Sequence, residues 1–154
     1  MKKSINIAVV GLGQVGIYLF NELNIKKKDI EVKTGKKINI VAISARNINK
    51  KRQFKINKKI FFKNPLDIFS KTNVDILFEV IGLSDGISKK VVETALKKKI
   101  HVITPNKALI SKHGNELAKI AEQNNVNLEF EASVAGGIPI LRSIKEGLAT
   151  NKIS

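Results

Sequence analysis

Apolar positions in this chain gather into short runs, and lysine-rich polar stretches separate them. The first run, Ile5 to Val10, is rich in β-branched residues and reads as a strand. Behind it Ile17, Phe20 and Leu23 recur at helical spacing, which predicts a helix from about Gln14 to Asn24. Residues 25 to 37 carry many lysines and a turn signal at Gly35, and read as a surface loop or hairpin. Ile38 to Ser44 reads as a buried parallel strand, being mostly apolar. Residues 47 to 59 are polar and poorly patterned, Ile60-Phe61-Phe62 suits a short strand, and Asn64-Pro65 opens a short helix through Phe69. Val74 to Ile81 is the next strand. Ser84 or Asp85 can cap a helix from Gly86 to Lys98 with the stripe Ile87, Val91, Ala95 and Leu96. Ile100 to Thr104 is a strand. Pro105-Asn106-Lys107 leads into a helix striped by Ile110, Leu117, Ile120 and Ala121. Val126 to Glu131 is the last clear strand; a small-residue stretch, Ala132 to Gly137, precedes Ile138-Pro139 and a helix to about Ala149.

Strands alternating with helices imply a parallel sheet with right-handed crossovers. The expected architecture is α/β, a Rossmann-type doubly wound parallel sheet in a single domain over residues 1–154. The strongest local signal is Gly11-Leu12-Gly13-Gln14-Val15-Gly16, a G-x-G-x-x-G run placed between a strand and a helix. Gly11 permits the sharp turn, Gly13 lets backbone approach a pyrophosphate, and Gly16 lets helix and strand pack closely. The N–H groups of the following helix turn then face the phosphates.

Composition narrows the reading. The 154 residues contain no cysteine, which excludes a disulfide framework, thiolate catalysis and zinc–thiolate sites. No apolar run is long enough to span a bilayer and no signal-peptide pattern opens the chain, so a soluble, cytoplasmic protein without a membrane partner is expected. The formal charge of +15 invites a nucleic-acid reading. Against it, the basic residues are nearly all lysine, spread along the whole chain, with no aromatic interleaving and no recognisable nucleic-acid motif. Solvated lysine is the simpler reading, and the positive field still favours phosphorylated cofactors.

The second strand's end discriminates between nicotinamide cofactors, because an acidic residue there binds ribose hydroxyls and an arginine accommodates a 2′-phosphate. Ser44-Ala45-Arg46 has no carboxylate, and Lys50, Lys51 and Arg52 follow, which favours NADP, with NAD as the alternative if Arg46 is only an exposed loop charge. The remaining strand ends carry Glu79 to Gly82, Thr104 to Leu109 and Glu131 to Pro139. Ligands of open α/β sheets sit beyond such carboxyl ends, so these stretches gather around one site. Lys107 is the best candidate there for polar chemistry, since an ammonium near a nicotinamide can hold a carbonyl or carboxylate. His101 and His113 have no third partner at metal or triad spacing, and Ser133 has no neighbouring base.

Together, G-L-G-x-V-G, E-V-I-G, T-x-N-K-A-L and E-A-S-V-A-G-G-I-P-I resemble, in order and spacing from Ile5 to about Ile153, the nucleotide-binding half of homoserine dehydrogenase. The resemblance implies NAD(P)-dependent interconversion of L-homoserine and L-aspartate 4-semialdehyde, on the route to threonine and methionine. By position Gly11, Leu12, Gly13, Gln14, Val15 and Gly16 would form the phosphate loop, Arg46 would meet the 2′-phosphate and Gly82 would line the nicotinamide side. Lys107 falls on the family's active-site lysine. Glu131, Val134, Gly136 and Ile138 match positions that bind a monovalent cation such as sodium, largely through backbone oxygens. Leu83 departs from the pattern, standing where the family often has a second glycine. The resemblance places the substrate and dimerisation domain after this stretch. It implies a cofactor half, completed for its small amino-acid substrate by a second domain, in a homo-oligomer or on a partner chain. The missing part would cover apolar surface near Leu141, Ile144 and Leu148. Two other readings stay open: a nucleotide-binding sensor without turnover, and the cofactor half of another amino-acid or semialdehyde dehydrogenase.

Overall fold

The computed structural model describes residues 3–48 and 56–135, with the backbone alone for residues 134 and 135. Six strands form one parallel sheet: β1 (Ser4–Val10), β2 (Lys37–Ser44), β3 (Phe61–Phe62), β4 (Ile76–Glu79), β5 (His101–Ile103) and β6 (Leu128–Glu129). Their order is β3-β2-β1-β4-β5-β6, so the winding reverses between β1 and β4. That reversal is where a doubly wound sheet opens a crevice.

The helices are α1 (Gln14–Ile25), α2 (Lys27–Thr34), α3 (Ile68–Lys71), α4 (Ile87–Lys97), α5 (Lys107–Gln123) and α6 (Glu131–Ala135). They cover both faces of the sheet, as the side chains of β1 show. Ile7 and Val9 belong to a cluster with Ile17, Phe20, Leu23 and Ile30 of α1 and α2. Ala8 and Val10 belong to the opposite cluster, with Val91, Leu96, Leu109 and Leu117 of α4 and α5. Successive strand residues point to opposite faces, which is why a β-branched run with no polar alternation fits a sheet buried on both sides.

Four expectations change. Residues 25 to 37 are not a loop or hairpin: they hold the end of α1 and all of α2. α2 is closed by Gly35 at φ 66 and tied to β2 by the Ile38 N–H donating to Glu31 at 2.8 Å. Neither Ser84 nor Asp85 caps α4. Gly86 is its N-cap, and Asp85 instead accepts from Lys112 at 2.8 Å and meets His113 Nε2 at 2.9 Å. The strand expected over Val74 to Ile81 narrows to β4, because the Ile81 N–H turns onto the Glu79 carboxylate at 2.9 Å. The last strand is only Leu128–Glu129, and Glu131 opens α6, into which the small-residue stretch continues. Lys50, Lys51, Arg52, Gly136, Ile138 and the expected final helix with Leu141, Ile144 and Leu148 lie outside the described residues. No helix among the described residues is long and apolar enough to cross a membrane.

Candidate dinucleotide site

The glycine turn sits at the carboxyl end of β1, directly over the point where the sheet reverses. Gly11 has φ 106, a left-handed value that a side chain disfavours. A Cβ there would lie 2.6 Å from both the carbonyl carbon and oxygen of Val80, so the turn packs against the end of β4. Gly16 is fixed by contact too: a Cβ on it would run into the Gly11 carbonyl and reach Val80 Cγ2 at 3.0 Å. Gly13 differs from both. A Cβ there would meet nothing within 4 Å. Neither the protein's packing nor its backbone strain requires a glycine at this place, which leaves space for something outside the chain. Gly13 is also the N-cap of α1 and makes no side-chain cap, so the first-turn N–H groups face that open space. Gln14 and Val15 are exposed at the same helix start.

A pocket of about 540 Å³ begins here. Its walls are Val10 to Gly13 from the first turn, Ser44 to Asn47 behind β2, Lys63 and Pro65 behind β3, and Val80, Ile81, Leu83 and Ile87 from the β4–α4 connection. The carboxyl ends of four elements thus converge, as ligand sites of such sheets require. Among the described lining residues no carboxylate is present, whereas Arg46 and Lys63 both contribute cationic groups, and both are exposed. Lys63 was not singled out from the sequence. It is a single lysine after an aromatic pair, and only the placement of β3 beside β2 brings it into the same pocket lining as Arg46.

The other expected residues divide. Leu12 is buried and lines the pocket. Gly82, at φ 86, lies between two lining residues. Lys107 opens α5 and is exposed, outside the described pocket lining. Its helix start is well held: the Asn106 side chain accepts from the Leu109 N–H at 3.1 Å. Glu131 starts α6, which also contains Val134, while the other two cation positions are outside the described residues. Ser133 donates its hydroxyl to the Phe130 carbonyl at 2.6 Å. His101 accepts from the Asn127 N–H at 3.1 Å.

A polar network joins the β4–α4 connection and α4 to α5. Lys112, Ser84 and His113 beside Asp85 hold its carboxyl well below the usual carboxylate range, with the Lys112 bond the largest cause. Lys89 bonds Glu116 at 2.9 Å and holds that carboxyl below its ordinary value too.

A parallel doubly wound sheet with a glycine turn at its reversal point, an open helix N-terminus and a cation-lined pocket defines a dinucleotide-binding domain. Comparison with known proteins narrows the class. The family described as "Homoserine dehydrogenase, NAD binding domain" matches residues 11–131. A homoserine dehydrogenase of Neisseria gonorrhoeae is 38% identical over 151 residues, covering 98% of this chain and 34% of that protein. A crystal structure of a homoserine dehydrogenase from Thiobacillus denitrificans superposes with a TM-score of 0.85 at 34% identity, covering 99% of this chain and 35% of that one. One from S. aureus gives a TM-score of 0.80 at 38% identity, over 89% of this chain and 34% of that one. The chain belongs to the homoserine dehydrogenase NAD-binding domain family. It spans about a third of the length of the relatives it matches.

Proposed function

We propose that these 154 residues bind NADP(H) as the cofactor half of a homoserine dehydrogenase. The observation that carries the cofactor choice is the pairing of Arg46 and Lys63 on a pocket wall without a described carboxylate. An acidic residue at that place would select ribose hydroxyls and repel a 2′-phosphate, while two cations attract it. The pyrophosphate would lie on the Gly11 to Gly16 turn, with Gly13 supplying the space and α1 its N–H groups. The nicotinamide would rest toward Ile81, Gly82 and Leu83.

When bound, the nicotinamide supplies or takes the hydride. This chain's residues bind and orient it, and exclude water on the apolar side through Val80, Ile81, Leu83 and Ile87. Lys107 would contribute a cationic contact to the substrate's polar group. In the whole protein the reaction would be oxidation of L-homoserine to L-aspartate 4-semialdehyde and its reverse, in cytoplasmic synthesis of threonine and methionine. Glu131, Val134, Gly136 and Ile138 would hold a monovalent cation. The small amino-acid substrate also needs ligands for its ammonium and carboxylate, and a group to move the hydroxyl proton. The described pocket offers no acidic ligand set for them. In the whole protein these groups would come from the further length that the relatives carry, as a second domain or on a partner subunit.

A second reading, a binding module without turnover, is favoured by the position of Lys107 outside the described pocket lining. The two separate in one assay: NADPH oxidation with aspartate semialdehyde, on this chain alone and on the full-length protein. Turnover by the full-length protein and none by the isolated chain supports the dehydrogenase half. Absence of turnover in both supports the module.

A further inference from the structure

Glu79 ends β4 fully buried, at 0% exposure, and among the described residues every hydrogen bond to its carboxylate comes from a neutral group. Oε1 accepts from the Ile81 N–H at 2.9 Å and the Ser88 hydroxyl at 3.1 Å. Oε2 accepts from the Thr104 hydroxyl at 2.6 Å and, more weakly, the Asn106 amide at 3.4 Å. Burying a carboxylate is costly, and a set of donors this complete offsets the cost only if each donor is held in place. A core built for stability alone would put an apolar residue here, as Leu77 does two positions earlier on the same strand.

The donors show what the carboxylate joins. Ile81 belongs to the turn that walls the pocket on the side assigned to the nicotinamide. Ser88 lies in the first turn of α4 and Thr104 follows β5. Asn106 caps α5, and its amide also donates to the Leu83 carbonyl at 2.8 Å. Leu83, at the far end of the wall, is thereby tied to the residue immediately before Lys107. One carboxylate fixes the Ile81–Leu83 wall and the start of α5 in a single frame.

We propose that Glu79 is a positioning residue that sets the nicotinamide-side wall of the pocket, Ile81 to Leu83, in register with Lys107. The proposal rests on the NADP(H) reading above. Glu79 does not line the pocket and acts through the groups it holds.

The test compares two ligands on the purified 154-residue chain: NADPH, and adenosine 2′,5′-bisphosphate, which keeps the adenine and 2′-phosphate but has no nicotinamide. Glu79→Gln retains the shape but turns one acceptor into a donor facing donors. It should weaken NADPH roughly tenfold, the scale of one charge-assisted hydrogen bond, and reduce the nicotinamide fluorescence gained on binding. Adenosine 2′,5′-bisphosphate affinity should stay within about twofold of the parent chain. Ser88→Ala removes one donor and should move the same readouts less far, and it carries the test if Glu79→Gln fails to fold. Equal losses for both ligands would mean general destabilisation and overturn the proposal, as would unchanged NADPH affinity and fluorescence. A parent chain that binds neither ligand overturns the cofactor reading, and this proposal with it.

Discussion

The Gly11 N–H donates to the Ser44 carbonyl at 2.9 Å, tying the glycine turn to the last residue of β2. Arg46 follows two residues later, so one hydrogen bond links the glycine turn to the strand end that carries Arg46. On its other side Gly11 presses against Val80. Gly11→Ala must therefore accept a left-handed backbone and a steric overlap together. A loss of about 2–5 kcal/mol is expected, summing the conformational and overpacking costs. Urea unfolding of the variant, read as a fall in the midpoint, checks it.

Gly13→Val tests the opposite property of the same turn. A β-carbon at Gly13 meets open space within the protein. The variant should keep its far-ultraviolet spectrum and melt within a few degrees of the parent, yet lose NADPH binding by roughly a hundredfold or more. Calorimetric affinity on the folded variant decides it, and an unchanged dissociation constant contradicts the phosphate-turn assignment.

How legible all this was in the sequence depends on what each residue touches locally. The glycine turn, the strand before it and the stripes of α4 and α5 were readable, because their apolar periodicity reports burial directly. α2 was not: Ile30 and Glu31 face the sheet, but Val32 is 84% exposed and the lysines blur any stripe. The edges of β4 were lost because Ile81 is apolar enough for a strand, while a side-chain acceptor on Glu79 diverts its N–H. The place of Lys63 and the Thr104 and Asn106 donors to Glu79 were invisible for one common reason: strand order brings together groups far apart in the chain.

Arg46 and Lys63 should discriminate between cofactors. Arg46→Ala is expected to weaken NADPH by about 1.5–3 kcal/mol and NADH by under about 0.5, since only NADPH carries the extra phosphate. Lys63→Ala should act in the same direction with a smaller loss, both groups being exposed. Raised salt should narrow the NADPH preference. Titrations of each variant with each cofactor check the set, and equal losses for the two cofactors count against it.

Asp85 supplies a pH dependence whose sign follows from its surroundings. Lys112, Ser84 and His113 lower its folded pKa from an ordinary 3.8. Its contribution to stability is present above 3.8 and is lost as pH falls through the lowered value. The group is exposed, so the effect is small. Asp85→Asn should lower the melting temperature slightly near neutrality and converge with the parent in acid, so that the acid limb of the profile flattens. A steeper acid limb in the variant would contradict this pairing.

The most direct measurement is calorimetric titration of the purified 154-residue chain with NADPH and, separately, NADH. The account predicts saturable binding of one NADPH per chain, with NADH at least tenfold weaker, the ratio expected from one lost charge-assisted contact. Absence of binding by either cofactor contradicts the assignment of the glycine turn. Tighter binding of NADH would contradict the role given to Arg46 and Lys63.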